Sequence, residues 1–149
     1  MKTNLSGYLE KDLHLFPLRV YFSDTDAGGV VYHSRYIDMA EHARTEWLHL
    51  LGIDHRGFLR DHGTVFVVRS IKIDYLGPAF LDETLLVRSR LKKTGRFALE
   101  IFQEITRDGQ VLATLDLKLG YVSVQTGRPV VMPEEWQKIF TSVIEAREE

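Results

Sequence analysis

The segment from Tyr21 to His33 contains the residue types that could do chemistry. It reads Tyr-Phe-Ser-Asp-Thr-Asp-Ala-Gly-Gly-Val-Val-Tyr-His, so that Asp24 and Asp26 lie just before two glycines. Glycines let a backbone approach a ligand closely, and the free N–H groups at the start of a helix can hold developing negative charge. A carboxylate beside such groups can act as a nucleophile or as a general base toward water. The segment is therefore a candidate catalytic site.

Two other interpretations of this segment involve no catalysis. Asp-Thr-Asp followed by Gly-Gly also occurs in ordinary turns, in which Asp caps backbone N–H groups and Gly adopts a positive φ. A calcium loop begins with Asp-x-Asp as well, but its next ligand positions would be Gly28 and Val30, which have no side-chain oxygen. Spacing alone leaves the turn and the catalytic site open and excludes the calcium loop.

The segment is expected to connect a strand to one long amphipathic helix. The strand is predicted over Leu15 to Ser23. Behind the segment, apolar residues recur at spacings of four and three, which predicts a helix of about 17 residues with Ser34 as N-cap and Gly52 as the C′ residue. The apolar face of this helix consists of Tyr36, Ala40, Ala43, Trp47 and Leu50.

The second half of the chain alternates between apolar and polar residues, as strands with one face on a core do. Short turns separate four such stretches, which predicts an antiparallel meander. The stretches begin near Val65, Leu85, Phe97 and Val111. With the earlier strand they form a five-stranded antiparallel sheet, which would cover its apolar face by wrapping around the long helix in an α+β fold.

Apolar residues are also predicted on the outer face of the sheet. Phe66, Val68 and Leu86 fall between the inward-facing positions of their strands. Either a homodimer or the C-terminal helix, predicted at about 133–146 after Pro133, would cover them.

Composition limits the classes of protein that remain. The 149 residues suit one domain spanning residues 1–149, and 44% are apolar and 27% charged, as in a soluble globular protein. The net charge of −2 argues against general nucleic-acid binding. The chain has no Cys, which excludes thiol nucleophiles. Glu10, Lys11 and Asp12 interrupt the apolar stretch that an N-terminal signal peptide would need, so a cytoplasmic protein is expected.

No metal or cofactor is expected. Besides His33, the chain has five histidines, and none of them shows the spacing of a metal site. They are His14, His42, His49, His55 and His62.

The stretch from Tyr21 to Trp47 closely resembles the 4-hydroxybenzoyl-CoA thioesterase family of hotdog-fold proteins. The resemblance rests on Asp-x-Asp, Gly, two apolar residues, Tyr-His and then Tyr-x-x-x-x-Glu-x-Ala-Arg. It extends more weakly to about Pro133, and it is best to the YbgC-type acyl-CoA thioesterases associated with the Tol-Pal gene cluster. It implies a single hotdog domain, in which a long helix lies in an antiparallel sheet. It also implies that the protein works as a dimer, or as a homotetramer built from two dimers, with active sites between subunits.

The resemblance also implies roles for individual residues. Asp26 matches the catalytic carboxylate, and the backbone N–H near His33 matches the group that polarises the thioester carbonyl. The His33 side chain is a further catalytic candidate, although it could equally bind a loop carbonyl or line the acyl pocket. Asp24 would hold the turn. The candidate acyl-binding residues are Tyr32, Phe66, Val67 and Val68.

Five cations within nine residues, from Arg88 to Arg96, stand out on a net-negative chain. Coenzyme A has several phosphate charges, and related thioesterases bind them with basic residues in this region. Lys92, Lys93 and Arg96 are therefore expected to bind CoA phosphates, although a solvated strand face or a surface for acidic acyl carrier protein would look the same.

The function expected from the resemblance is hydrolysis of aliphatic or aromatic acyl-CoA. One alternative is a non-enzymatic hotdog scaffold that binds acyl carrier protein or phospholipid-synthesis partners. A hotdog dehydratase is a poorer fit, because dehydratases rely on a His in a different loop pattern.

Overall fold

A computed structural model describes residues 4–148, which form one antiparallel sheet and three α-helices. The strands are β1 Tyr8–Glu10, β2 Leu13–Arg19, β3 Thr64–Tyr75, β4 Thr84–Thr94, β5 Ala98–Arg107 and β6 Gln110–Ser123. The α-helices are α1 Arg35–Leu50, α2 His55–His62 and α3 Glu134–Glu145, and single 3₁₀ turns lie at Phe22–Asp24 and Ala146–Glu148. The predicted α+β class is confirmed.

The strand order is β1-β2-β4-β5-β6-β3, so the predicted four-strand meander is wrong in one strand. β4, β5 and β6 form a meander, but β3 pairs with β6 at the far edge and β4 pairs with β2. The connection between β3 and β4 crosses the end of the sheet instead of forming a tight turn. There Val31 N–H donates to the Ala79 carbonyl at 2.9 Å, and Val30 bridges to Phe80.

The sheet has six strands instead of the predicted five. The additional strand, β1, contains only three residues and pairs with β2. A tight turn joins the two strands, with Lys11 at φ 55°. A three-residue strand beside the charged Glu10-Lys11-Asp12 run is too short to show periodicity.

The long helix α1 lies where the sequence predicts it and packs its apolar face against the sheet. Leu51 is its C-cap, and the following Gly52 adopts a φ of 77°, as expected of a C′ glycine. Ser34 occupies the N-cap position, but its side chain makes no capping hydrogen bond. Leu50 is 40% exposed, so the apolar face ends before it. The buried residues of α1 are Tyr36, Met39, Ala40, Ala43, Arg44 and Trp47.

Arg44 belongs to a polar network between α1 and the inner face of the sheet. Its guanidinium donates to Gln103 Oε1 at 2.9 Å, and Gln103 Nε2 donates to the Ala40 carbonyl and to Ser89 Oγ, each at 3.0 Å. Burial lowers the pKa of Arg44. The network fixes α1 against β4 and β5, because each of these buried polar groups needs a partner.

A β-bulge at Arg69 reverses the faces of β3. Val68 lies opposite Leu119, whereas Ser70 lies opposite Lys118, so Arg69 is the extra residue. Phe66 and Val68 therefore share the inner face with the β6 residues opposite them, and the prediction that they face outward is wrong. The Phe66 ring stacks at 5.9 Å on Trp136 of α3. The C-terminal helix α3 does pack over Phe66, but it does so on the inner face and not on the outer face for which it was predicted as a cover.

The sequence interpretation missed α2. It begins after Asp54, whose side chain accepts from Gly57 N–H at 2.9 Å, and ends at Gly63 with φ 63°. These two residues are a recognisable start and stop, but eight residues are too few for a clear apolar repeat.

Within residues 4–148, no helix is long and apolar enough to cross a membrane.

A buried carboxylate joins the two ends of the described chain. Asp12 is 4% exposed and accepts from Arg90 Nε at 2.9 Å and from Arg147 Nε at 3.0 Å. Arg147 also donates to the Leu91 carbonyl. The turn between β1 and β2, strand β4 and the C-terminal 3₁₀ turn thus meet at one acidic residue.

Candidate functional site

The chemistry-bearing segment forms a small hairpin ahead of α1. Thr25 bridges to Val31, Asp26 N–H donates to the Val30 carbonyl at 2.9 Å, and Gly29 N–H donates to the Asp26 carbonyl at 3.1 Å. Gly29 adopts a φ of 78°, which a residue with a Cβ rarely does, so the second glycine is needed for this turn. The hairpin places Asp26 at its tip.

The two oxygens of the Asp26 carboxylate differ in their contacts. Oδ1 accepts from Gly28 N–H at 2.8 Å and from Val30 N–H at 3.3 Å. Among residues 4–148, Oδ2 accepts no hydrogen bond, and the residue is exposed. The turn therefore fixes the carboxylate through one oxygen and leaves the other available to a reactant.

Asp24 has a local structural role. Its Oδ2 accepts from Tyr21 N–H at 2.9 Å, and its carbonyl accepts from Tyr32 N–H at 2.9 Å. These contacts close the 3₁₀ turn before the hairpin and hold the second arm of the hairpin in place. The two acids of the Asp-Thr-Asp motif are thus engaged in different ways.

Unpaired backbone N–H groups lie where the hairpin enters α1. In the described part of the chain, the N–H groups of His33 and Ser34 have no hydrogen-bond partner. The carbonyls of the same two peptide groups are both engaged: Arg35 N–H donates to the Tyr32 carbonyl at 2.9 Å, and Tyr75 Oη donates to the His33 carbonyl at 2.9 Å. The N–H groups at this end of α1 can therefore donate hydrogen bonds to a partly negative oxygen.

The side chains of Tyr32 and His33 are exposed and contact each other. Their ring centroids are 4.4 Å apart with a tilt of 42°. The His33 imidazole makes no hydrogen bond to another described residue. Within the described residues it therefore neither caps the helix nor binds a loop carbonyl.

The other predicted acyl-binding residues lie elsewhere in this chain. Phe66 packs in an aromatic cluster with Tyr121 and with Trp136 of α3. Val67 and Val68 are 37% and 46% exposed on the outer edge strand. Val68 precedes Tyr75 by seven residues, which is about 20 Å along a strand, so one chain does not bring these valines to the start of α1.

The three predicted phosphate-binding cations differ in their engagement. Lys92 Nζ donates to Asp116 Oδ1 at 2.9 Å, and this hydrogen bond raises the pKa of Lys92. Lys93 and Arg96 are exposed, and the Arg96 guanidinium lies 5.6 Å from the centre of the Phe97 ring. Lys93 and Arg96 are therefore more available to an anion than Lys92.

Tyr75 is the contact at this site that sequence reasoning missed. In the sequence it is the last residue of an alternating strand, which is typical of a sheet residue with no further role. Only the crossing connection from β3 to β4 brings it to the start of α1, and that connection cannot be deduced from periodicity.

The chain is similar to known thioesterases in sequence. Residues 20–140 match the profile of the thioesterase-like superfamily. The acyl-CoA thioesterase YbgC of Haemophilus influenzae is 37% identical over 125 residues, covering 84% of this chain and 92% of that protein. The acyl-CoA thioesterase YbgC of Helicobacter pylori strain J99 is 32% identical over 135 residues, covering 84% of this chain and 98% of that protein.

Solved structures show the same architecture. A probable thioesterase from Bartonella henselae superposes with a TM-score of 0.75 at 30% identity, covering 81% of this chain and 99% of that one. A DHNA-CoA thioesterase from Staphylococcus aureus superposes with a TM-score of 0.84 at 21% identity, covering 91% of this chain and 93% of that one. At that identity the second likeness concerns the fold alone.

Proposed function

Because the chain belongs to the thioesterase-like superfamily, as its Tyr21–Trp47 motif predicts, we propose that it hydrolyses acyl-CoA thioesters with Asp26 as the catalytic carboxylate. Its α+β architecture is the hotdog fold implied by the motif. The observation that carries the proposal is that one short segment holds both a carboxylate with one oxygen free of hydrogen bonds, at the hairpin tip, and N–H groups without a partner in the described chain, at the start of α1. Family membership gives the reaction class. In the proposed reaction, the carboxylate acts on the thioester carbon or on water, and the N–H groups bind the carbonyl oxygen.

The reaction requires an attacking oxygen and a partner for the carbonyl oxygen. In one route, Asp26 Oδ2 bonds to the thioester carbon, the C–S bond breaks, and the leaving thiolate takes up a proton from solvent. Water then cleaves the mixed anhydride and restores the carboxylate. In the other route, Asp26 accepts a proton from the attacking water, and that proton passes to the leaving thiolate. Both routes end in a carboxylic acid and free CoA thiol.

The start of α1 acts in both routes. As the carbon becomes tetrahedral, its carbonyl oxygen becomes negative, and the His33 N–H is the proposed donor to it. One such donor contributes about 3 kcal/mol to lowering the barrier, which is comparable to the contribution of one general base. The His33 imidazole and the Tyr32 ring would line the entrance for the acyl group.

A second copy of the chain is part of the proposal. The acyl-binding roles of Phe66, Val67 and Val68 require these residues to approach an Asp26 that their own chain keeps distant. β3 is an edge strand of twelve residues with exposed apolar side chains, and such an edge can pair with another strand. We therefore propose a dimer or a dimer of dimers, with the pocket between chains.

The CoA moiety is assigned to the cations at the hairpin between β4 and β5. Lys93 and Arg96 would take phosphate charges, with Lys92 contributing after release from Asp116. The same surface suits an acyl group delivered on acidic acyl carrier protein.

The test is a hydrolysis screen with Asp26→Asn. Purified protein is assayed against acyl-CoAs from short to long chains and against benzoyl-type CoAs. We expect the substitution to lower kcat at least 100-fold, since it removes an anionic oxygen. The Asn side-chain oxygen can still accept from Gly28 and Val30, so the melting temperature should stay close to that of the wild type.

Asp24→Asn is the matched control. It makes the same chemical change two residues away, where an amide oxygen can still accept from Tyr21 N–H, and activity should stay within about threefold. A folded Asp26→Asn protein with near-normal turnover would contradict the assignment of Asp26. A wild-type protein that cleaves no acyl-CoA would instead favour the scaffold that binds acyl carrier protein or phospholipid-synthesis partners.

A further inference from the structure

We propose that Tyr75 is a positioning residue that orients the Ser34 N–H, a second backbone donor of the oxyanion site beside the His33 N–H. The inference rests on the proposed function and adds a residue from β3 to the Tyr21–His33 segment. Its basis is the 2.9 Å hydrogen bond from Tyr75 Oη to the His33 carbonyl.

The bond replaces a helical contact. Had the helix continued one residue toward its N-terminus, the His33 carbonyl would accept from Ile37 N–H four residues on. In the described chain, Ile37 makes no such bond, whereas Asp38 N–H does reach the Ser34 carbonyl at 3.4 Å. Tyr75 therefore holds the His33 carbonyl away from its helical partner.

The hydrogen bond from Tyr75 to the His33 carbonyl also fixes the direction of the Ser34 N–H. The His33 carbonyl and the Ser34 N–H belong to one peptide group, which is trans because the described chain contains no cis peptide bond. In a trans peptide the two bonds point to opposite sides. With the carbonyl fixed on Tyr75, the Ser34 N–H points away from the phenol and is free to donate. A hydrogen bond to the carbonyl also polarises the N–H of the same group.

The preceding peptide group is held in a similar way. Its carbonyl, that of Tyr32, accepts from Arg35 N–H, and its N–H, that of His33, has no partner in the described chain. Two successive N–H groups are thus unpaired while both of their carbonyls are engaged. The Ser34 side chain leaves them open, because it makes no capping hydrogen bond.

Tyr75 itself is firmly placed. Its ring meets the Tyr36 ring edge-on, with centroids 5.6 Å apart. Tyr36 Oη in turn accepts from Ala79 N–H at 3.0 Å, within the connection that crosses the sheet end. The residue after Tyr75, Leu76, donates its N–H to the Leu112 carbonyl at 2.8 Å. The Tyr75 phenol therefore holds the start of α1 at a fixed place relative to the sheet.

The first experiment is Tyr75→Phe, which removes only the hydroxyl. We expect kcat for an accepted acyl-CoA to fall about tenfold with KM within about twofold, since the lost contact acts on the transition state more than on substrate binding. Tyr8→Phe is the matched control, because Tyr8 is an exposed tyrosine of β1 whose hydroxyl makes no hydrogen bond to another described residue. A folded Tyr75→Phe protein with kcat within twofold of wild type would overturn the inference.

A second pair of variants separates hydrogen bonding from packing. At position 75, 4-aminophenylalanine retains a donor, and 4-methylphenylalanine has similar size without one. We expect the amino variant to keep kcat within about threefold and the methyl variant to lose about tenfold. Equal losses in both would assign the effect to packing and reject the positioning role.

A spectroscopic measurement gives a readout apart from turnover. In an Asp26→Asn background, the carbonyl stretch of a bound ¹³C-labelled acyl-CoA should move to lower frequency on binding, because the N–H groups polarise the carbonyl. Adding Tyr75→Phe should reduce that shift at unchanged Kd. An unchanged shift would contradict the inference. Wild-type protein that neither binds nor cleaves acyl-CoA would contradict the proposed function itself.

Discussion

The two oxygens of Asp26 have different environments: Oδ1 accepts from the turn, whereas Oδ2 accepts no hydrogen bond within residues 4–148. The Asp-x-Asp-x-Gly-Gly motif indicates a tight turn and a candidate carboxylate, and the structure has both. The spacing of these residues is compatible both with a turn and with a catalytic group. The turn engages Oδ1 only, so the same residue can serve in both ways. Tyr75 lies 49 residues further along the chain than Asp26, and no local pattern could identify its contact with His33.

At the residue scale, the phosphate assignment predicts a substrate-dependent effect of Lys93→Glu. Reversing an available charge should raise KM for acyl-CoA about tenfold and leave KM for a phosphate-free thioester within twofold. Steady-state kinetics on an acyl-CoA and the matching N-acetylcysteamine thioester measure both values.

Lys138→Glu is the matched control for Lys93→Glu. Lys138 is an exposed lysine of α3 that pairs with Glu134 at 3.7 Å, far from the β4–β5 hairpin in sequence. Its reversal should change neither KM. Equal increases for the two substrates in Lys93→Glu would show that the residue does not bind phosphate.

At the scale of elements, β3 shows why periodicity predicts that a strand exists more readily than it predicts which face of the sheet each side chain occupies. The alternation over Val65 to Tyr75 predicts a strand, and β3 spans Thr64–Tyr75. A bulge at Arg69 then shifts the alternation by one, so residues before it face the opposite side from the prediction. A bulge adds one residue without any required residue type, and so it leaves no signal in a single sequence. The pairing of β3 with β6 instead of β4 is equally invisible to local patterns.

The contact between α2 and β3 predicts acid-dependent stability. His55 Nε2 accepts from Phe66 N–H at 3.0 Å, which needs the neutral imidazole, and burial lowers the pKa of His55. As pH falls through about 6.5, the unfolded chain takes up a proton that the folded chain resists, so the free energy of unfolding falls. Burial lowers the pKa of His14 as well, which adds in the same direction.

Thermal melts between pH 7.5 and pH 5 test this linkage. The wild-type melting temperature should fall over that range, and His55→Gln should flatten the fall by removing one of the two groups. His49→Gln, at an exposed position of α1, should keep the wild-type dependence. A His55→Gln profile parallel to that of wild type would rule out His55 as a source of the dependence.

At the scale of the whole molecule, the sheet ends in two unequal edges. One edge is β1, three residues long, and the other is β3, twelve residues long with Val67 and Val68 exposed. Long apolar edges are rarely left unpaired in soluble proteins. The family resemblance implies oligomers with active sites between subunits, and this edge is the surface on which the proposed second copy would complete the pocket.

Val68→Asp should therefore disrupt assembly and activity together. A charge on this edge disfavours pairing, and we expect the sedimentation coefficient to move to that of a single chain while kcat/KM falls at least tenfold. Leu9→Asp, an exposed apolar residue of β1, should change neither quantity. An unchanged assembly in a folded Val68→Asp protein would place the interface elsewhere.

The junction at Asp12 has a consequence for the order of events during synthesis. Asp12 leaves the ribosome well before its partner Arg147, which lies 135 positions later in the chain. A nascent chain can build the β1–β2 turn early, but half of the positive charge around this buried carboxylate arrives only after α3 has been made. Until then the acid is incompletely compensated in a place where charge is costly. The closing contact thus forms only after Arg147 has been made, and a product truncated before that residue would have a looser β1–β2 turn.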